Sequence, residues 1–318
     1  MHQPNKALKF APYYKRMIHY LQHNAIDQQK WDGCVMSSGK PSLYLLSWYL
    51  DAVSPGWNGL VCDDYDAVIP LSERKKRGFS YICQAAYTQY GGVCSKQEGE
   101  TDADPYLDFL QKQFALVEIN LPAHNRFSLE KWPSMVKTNQ YLNLNRSYDL
   151  LVKDFHRNHR RNILKAQESG YRFDRIDPEA FYQFKMANQS GTYYEEVSVL
   201  PDLIRAARDK DCLYCFAAYD KNSNIKAANM IIKSCGRLYL LASENTIEGM
   251  ANSLMFGLLD HIFRQFAGSA LLFDFEGSSL SGVHFFNAGF GAVEEKYYHL
   301  HINRLPFPLN LLKGRGKS

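Results

Sequence analysis

Long apolar runs are missing from this 318-residue chain. No stretch of roughly 18 apolar residues occurs, so no membrane-spanning helix is expected. The first ten residues, Met1 to Phe10, contain no apolar core of a leader peptide, so no secretory signal is expected either. Cysteine is sparse and odd in number, seven residues scattered along the sequence. That speaks against a disulfide framework and for a reducing compartment, the cytoplasm. The one Cys-x-x-Cys, Cys212 and Cys215, lies in a strand-like run that continues to Tyr219. Residues three apart on a strand face opposite sides, and no second cysteine pair or nearby histidine cluster completes a zinc site. A structural role is expected for both thiols, and no metal. Net charge is also small, +4; this suits an anionic small ligand and gives no support for DNA binding. There is no Walker loop, no Gly-x-Ser-x-Gly elbow and no His-Glu-x-x-His, so those nucleotide, serine-hydrolase and metalloprotease chemistries lose their usual support.

Aromatic side chains are plentiful: 14% of the residues, with 21 Tyr and 19 Phe. Tyrosine lines clefts as readily as it fills cores. Hydrophobic residues make up 46%, enough for one or two globular domains. Periodicity predicts an early helix with Tyr13, Met17, Ile18 and Leu21 on one face, and a second over Leu43–Val53 closed by Ser54-Pro55-Gly56. Strands are predicted at Gly59–Cys62, Asp66–Leu71 and Phe79–Cys83, with a solvated hairpin tip at 73–78. A helix over Pro105–Phe114 and a strand over Ala115–Leu121 follow. The second half repeats this order: helices at Asp149–Ser169 and Pro178–Ala187, then strands at Leu213–Tyr219, Ala227–Lys233 and Leu238–Ser243. A helix with Leu254, Leu258, Leu259, Ile262, Phe263 and Phe266 on one face leads to a strand from Ala270. Asp108–Phe114 and Asp260–Phe266 are similar to each other, and each precedes a strand. The reading is a duplicated α/β (α+β) chain with a first domain over 1–145, a second over 146–305 and a tail over 306–318.

Five motifs bear chemistry. The helix around Arg160, Arg161 and Lys165 presents guanidinium forks suited to phosphate or carboxylate, or else forms a solvated basic face. Asp274 and Glu276 alternate with Phe273 and Phe275, which places both carboxylates on one face of a strand end, where either could hold or deprotonate an amine. The segment Phe286-Asn287-Ala288-Gly289-Phe290-Gly291 combines an amide donor with an aromatic turn. Gln84, Tyr87 and Gln89 lie in a polar, aromatic loop ending in Gly91-Gly92, which reads either as a ligand-facing loop or as a surface hairpin. Ser243 and Asn252 flank a strand-to-helix junction.

These motifs carry a family resemblance. Strand, short aromatic helix, Gly-Phe-Gly and final strand together resemble the end of the GNAT acyltransferase fold, where two strands splay apart around the acyl donor. Arg160-Arg-Asn-Ile-Leu-Lys-Ala166 followed by Gly170 is similar to the helix of the Fem-type aminoacyltransferases, tandem GNAT proteins that add amino acids to peptidoglycan precursors. The resemblance implies two tandem GNAT-like domains, each a mixed sheet flanked by helices, with the tail returning to the first. It implies transfer of an acyl or aminoacyl group, from aminoacyl-tRNA or an acyl-CoA, to an amine-bearing acceptor that can carry a phosphate, with no resident cofactor. Where those enzymes carry a lysine that steadies the developing oxyanion, this chain has Asn287, which can donate a hydrogen bond but no charge. The implied catalytic group is Asp274, Glu276 and Asn287. The implied substrate contacts are Arg160, Arg161, Lys165, Gln84, Tyr87, Gln89, Ser243, Asn252 and Phe286. The 241–252 junction lacks the glycine pattern of a coenzyme-A pyrophosphate loop, which weighs against acetyl-CoA. An acyl-CoA-dependent N-acyltransferase and a non-catalytic binding protein on the same fold stay open as alternatives.

Overall fold

The computed structural model describes residues 17–76, 78–188, 194–277 and 281–308. In chain order the first half contains β1 (Ile18–Leu21), α1 (Gln28–Ser37), α2 (Ser47–Val53), β2 (Asn58–Cys62), β3 (Ala67–Lys76) and β4 (Phe79–Cys83). Two short strands, β5 (Cys94–Ser95) and β6 (Thr101–Asp102), precede α3 (Asp104–Gln113), β7 (Leu116–Pro122), β8 (Asn125–Arg126) and β9 (Ser134–Asn143). The second half runs α4 (Tyr148–Asp154), α5 (Arg157–Glu168), β10 (Arg172–Arg175), α6 (Pro178–Asn188), α7 (Tyr194–Asp209), β11 (Leu213–Tyr219), β12 (Ile225–Ser234) and β13 (Arg237–Asn245). It ends with α8 (Ile247–Ala251), α9 (Leu254–Phe266), β14 (Leu272–Asp274), α10 (Ser281–Ala288) and β15 (Val293–Asn303).

One mixed sheet joins both halves in the order β1-β2-β3-β4-β7-β15-β9-β14-β13-β12-β11-β10, with β5 added beside β3. Each half builds the same unit. Antiparallel strands end in a hairpin partner (β4 or β13), and a helix (α3 or α9) then crosses over to a parallel strand (β7 or β14). The similar segments Asp108–Phe114 and Asp260–Phe266 close those two helices. The last strand, β15, inserts between β7 and β9 and pairs antiparallel with both, from Tyr297↔Pro122 to Asn303↔Leu116 on one side and from Val293↔Tyr141 to Leu300↔Ser134 on the other. The α/β class and the duplicated mixed sheet expected from the sequence are therefore present.

Three apolar cores cover the sheet. On one face α1 and α2 share a single core with α6 and α7, through Trp31, Tyr49, Leu50, Phe181 and Leu203. On the other face α5 and α9 pack over the second half through Ile163, Ala166, Leu258 and Phe263, and α3 covers the first half through Tyr106, Leu107 and Leu110. Helix ends follow local chemistry. The Asp27 carboxylate accepts the Lys30 N–H to cap α1, and the Thr246 hydroxyl accepts the Gly249 N–H to cap α8.

Several expectations are corrected. Ile18–Leu21 forms an edge strand rather than a helix, because it pairs with Leu60 and its neighbours in β2; cross-strand hydrogen bonds outweigh a weak helical spacing. Tyr13 lies outside the described residues. The helix expected over Asp149–Ser169 breaks at Phe155 and His156, both extended. Phe155 turns into the core against Phe290, and the His156 N–H donates to the Gly289 carbonyl. The helix expected over Leu43–Val53 breaks at Leu46 into a 3₁₀ turn and α2. α1, α7 and β9 were not anticipated; β9 is too polar to read as a buried strand, yet its Asn139 and Gln140 are fully buried. Of the tail, residues 309–318 lie outside the described part. Just before it the Arg304 N–H donates to the Ala115 carbonyl of the first half.

Candidate active site

β13 and β14 run parallel for only three residue pairs, ending at Tyr239↔Asp274. Beyond this point the chain after β14 turns toward β9, where the Phe275 N–H donates to the Gln140 carbonyl. Among the described residues, the edge of β13 from Leu240 onward has no strand partner on that side. The fork therefore leaves backbone donors and acceptors of β13 open, the geometry a peptide-like or acyl chain can use.

The acidic pair sits at the branch point. Asp274 is 0% exposed and accepts from Arg237 (2.8 Å), from the Asn139 amide (3.2 Å) and from the Glu276 N–H (2.9 Å). Burial pushes its carboxyl up, and Arg237 pulls it back. Arg237 also meets Glu295 at 3.1 Å; burial works against its charge, but Tyr90, Asp274 and Glu295 outweigh that and hold it charged. Glu276 has left the strand: its φ is +61°, a left-handed conformation held by the Asp274 carboxylate and continued by Gly277 at +50°. A Cβ on Gly277 would collide with the Thr138 carbonyl, and the Gln89 amide nitrogen lies in the same place. The Glu276 carboxylate is half-buried and accepts from the Tyr44 hydroxyl at 2.5 Å. Burial, reinforced by Glu276 and Asp274, holds that phenol well above its usual range, so it stays a donor.

Tyrosines surround the pair: Tyr44 packs edge-on against Tyr49, Tyr90 and Tyr239, and Tyr90 lies against Tyr297. The loop over residues 84–92 joins them. The Tyr49 hydroxyl donates to the Tyr87 carbonyl, Gln89 is hydrogen-bonded to Tyr297, and Gln84 braces the loop by donating to the Thr88 carbonyl. Gln84, Tyr87, Gln89, Asp274 and Glu276 thus come together, although they are almost 200 residues apart in sequence.

A cleft of about 390 Å³ leads toward this site from the surface, past Lys40, Cys94 and His124. A narrower pocket shares those residues and continues past Ser42 and Tyr90 to Arg237 and Glu295. Lys40 is exposed and forms no ion pair among the described residues. The Ser42 hydroxyl has no hydrogen-bond partner there, although the residue is only 6% exposed. Burial, and then Lys40, push the His124 imidazole down to about 4, so it is neutral at pH 7. Arg237 is already paired with Asp274 and Glu295, so Lys40, Ser42 and His124 are the groups the passage offers to an anion. Lys40, Ser42, His124, Tyr44, Asn139 and Arg237 were not picked out from the sequence. The available signals were Arg237 at the head of an apolar strand and the Lys40-Pro41-Ser42 turn.

The remaining expected residues lie elsewhere. Asn287 is 3% exposed on α10, and its side-chain nitrogen has no hydrogen-bond partner among the described residues. α10 packs on the opposite face of the sheet, with Phe273, Phe275 and Phe290, and no hydrogen bond among the described residues joins Asn287 to the acidic pair. Phe286 lies 4.8 Å from Phe256, and its carbonyl accepts from the buried His159 imidazole at 2.8 Å. Gly289 is required there, since a Cβ would occupy the His159 ring. The basic helix and the Gly-Phe-Gly turn are thus two parts of one packed joint. Arg160, Arg161 and Lys165 point to solvent; Arg161 bonds Asn158, and Lys165 bonds the Ala251 carbonyl. Ser243 is exposed on the open part of β13, and Asn252 caps α8 while bonding Tyr171. Cys212 and Cys215 are free thiols that burial pushes up to about 11 and about 12. Among the described residues, no group of three or more His, Cys, Asp or Glu side chains could hold a metal, and no helix is long and apolar enough to cross a membrane.

The fold recurs in solved structures. The structure of FemX superposes with a TM-score of 0.63 over 91% of this chain and 99% of that one, at 12% identity. This chain shares the fold of FemX. This chain also superposes on a conserved protein of unknown function from Bacteroides thetaiotaomicron, with TM-score 0.55, 13% identity and coverage of 86% and 97%. L-PGS from Bacillus licheniformis matches with TM-score 0.53, 12% identity and coverage of 91% and 98%. No family model matches the sequence, and no curated protein does. At these identities the likeness is one of fold.

Proposed function

We propose that the protein transfers an acyl or aminoacyl group to an amine, in the building of the cell envelope. The observation that carries this reading is the fork: β13 and β14 part at Tyr239 and Asp274, and Glu276 stands at the branch point beside an open strand edge. The donor's acyl chain lies along that edge. The acceptor enters through the Lys40–His124 cleft, its phosphate or carboxylate held by Lys40 with Ser42 and His124, in preference to Arg160, Arg161 and Lys165 on the outer face of α5. Glu276 orients the acceptor as an ammonium and takes its proton. The amine nitrogen then bonds to the acyl carbon, the proton on Glu276 passes to the leaving group as the ester or thioester bond breaks, and the nitrogen gives its second proton to the emptied Glu276 carboxylate, which releases it to solvent. Asp274, already saturated with donors, positions Glu276 through its backbone. Free amides of β13 are the hydrogen-bond donors for the oxyanion, since Asn287 lies on the opposite face of the sheet.

A coenzyme-A donor is the less favoured form of this reading. At the strand-to-helix junction the Thr246 hydroxyl already takes the Gly249 N–H, and the Asn252 N–H is bonded within α8. The deciding measurement is turnover and thermal shift across CoA thioesters, aminoacyl-tRNA and nucleotide-linked peptidoglycan precursors. Transfer by the wild type and its loss in Glu276→Gln, with unchanged melting temperature, supports the proposal. A ligand that binds equally well to the wild type and to a triple substitution of Asp274, Glu276 and Asn287, without transfer, makes the protein a binding module instead.

A further inference from the structure

Away from the cleft, α5, α8 and α10 meet around the first turn of α9. The Lys165 ammonium donates to the Ala251 carbonyl at the end of α8, and the His156 ring lies 6.1 Å from that of Phe285 on α10. Phe256 of α9 packs between His159 of α5 and Phe286 of α10. The outer sides of these helices carry large apolar groups that no other described residue covers. Ile247 is 83% exposed and Phe285 62%, and Leu164, Met250 and Val283 are also exposed. Among them stand Arg157, Arg160, Arg161 and Lys165, all solvent-facing. None of the four pairs with a carboxylate among the described residues. α5 has no acidic residue between Arg157 and Lys165, α10 has none at all, and the one carboxylate of α8, Glu248, is held by Lys226 at 2.7 Å.

We propose that this face docks on an anionic lipid bilayer, with Ile247, Met250 and Phe285 entering the headgroup region and the α5 arginines and lysine meeting lipid phosphates. Exposed aliphatic and aromatic side chains rimmed by unneutralised cations are what an interfacial surface requires: apolar burial supplies part of the affinity and charge attraction the rest. A nucleic-acid backbone would engage the same cations but would leave Ile247, Met250 and Val283 in contact with phosphates and sugars, where they gain little. Because α8 runs directly into α9 beside the open end of β13, docking turns the fork toward the interface and gives it access to an amphiphilic substrate. This goes beyond the transfer reading and does not depend on it.

The test is co-sedimentation with vesicles of phosphatidylcholine alone and of phosphatidylcholine mixed with phosphatidylglycerol. Binding is expected only to the mixed vesicles and is expected to weaken as salt rises. Each of Arg157→Ser, Arg160→Ser and Arg161→Ser lowers the partition about fivefold, and Ile247→Ser with Met250→Ser lowers it about tenfold or more. These positions are exposed, so melting temperatures stay at the wild-type value. As a direct reading of the contact, Ile247→Trp fluoresces further to the blue on adding the mixed vesicles. Glu276→Gln binds vesicles as the wild type does, which separates this surface from the chemistry. Absence of binding to the mixed vesicles overturns the proposal. So does binding indifferent to Ile247 and Met250, or retention of RNA by the arginines with no vesicle binding.

Discussion

The two faces of the central sheet use their most distinctive residues in opposite ways. On the face of α1, α2, α6 and α7, ionisable groups are drawn inward: Asp274, Arg237, Glu276 and a shell of tyrosines form one hydrogen-bonded set at the end of an open passage. On the face of α5, α9 and α10, the residues that look most like a signature serve packing. Gly289 admits His159, Phe290 fills the core, and the basic residues of α5 turn outward. A recognisable motif can therefore mark the joint that holds a site in place, while the site itself is built from residues with no local pattern.

Exchanging the weight of the two faces is the way to break this comparison. The largest effect is expected from Glu276→Gln, which should lower kcat by about 10²–10⁴-fold at an unchanged melting temperature, measured by single turnover. Next comes Arg237→Met, which leaves Asp274 buried without its cation and should cost about 3–5 kcal/mol in denaturant unfolding. If stability were kept, the inward-drawn charges would not be a structural unit. On the other face, Gly289→Ala forces a Cβ into the His159 ring and should cost about 1–3 kcal/mol, whereas a catalytic role for that turn would instead appear as lost turnover at constant stability. Asn287→Leu sharpens the contrast: it removes a buried donor that has no partner among the described residues, so stability should hold or rise slightly. A fall in kcat of about 10²-fold or more would place Asn287 in the chemistry.

The smallest effect concerns pH. Burial holds His124, His159, His261 and His299 below the usual histidine value of 6.5. The unfolded chain then binds more protons than the native one, so stability is present above pH 6.5 and is lost as pH falls, down to about 4 in the case of His124. Melting temperature measured from pH 7 to 5 should fall, and His159→Asn should flatten the decline by removing one of those protons.

How much could be read in advance follows from where the information lies. Amphipathic α9 and the strand-like run Leu213–Tyr219 depend on spacing along the chain, and the structure keeps both; Asp274 opposes Phe273 as the alternation predicts, whereas Glu276 has left the strand. β9 escaped notice because its buried Asn139 and Gln140 are stabilised by partners from distant segments, Asp274 and the His284 carbonyl. Lys40, Ser42 and His124 escaped for the same reason: nothing local distinguishes a surface lysine from one at the mouth of a cleft.

The amino-acid order by itself determined the duplicated α/β plan, the crossover helices and the Gly-Phe-Gly turn, because periodicity, caps and glycine act over a few residues. Only the tertiary structure decided which side chains share the site. Insertion of β15 between β7 and β9, the parting of β13 from β14, and the meeting of Tyr44 with Glu276 across 232 residues are long-range pairings. Their free energy exists only once the two halves share one sheet.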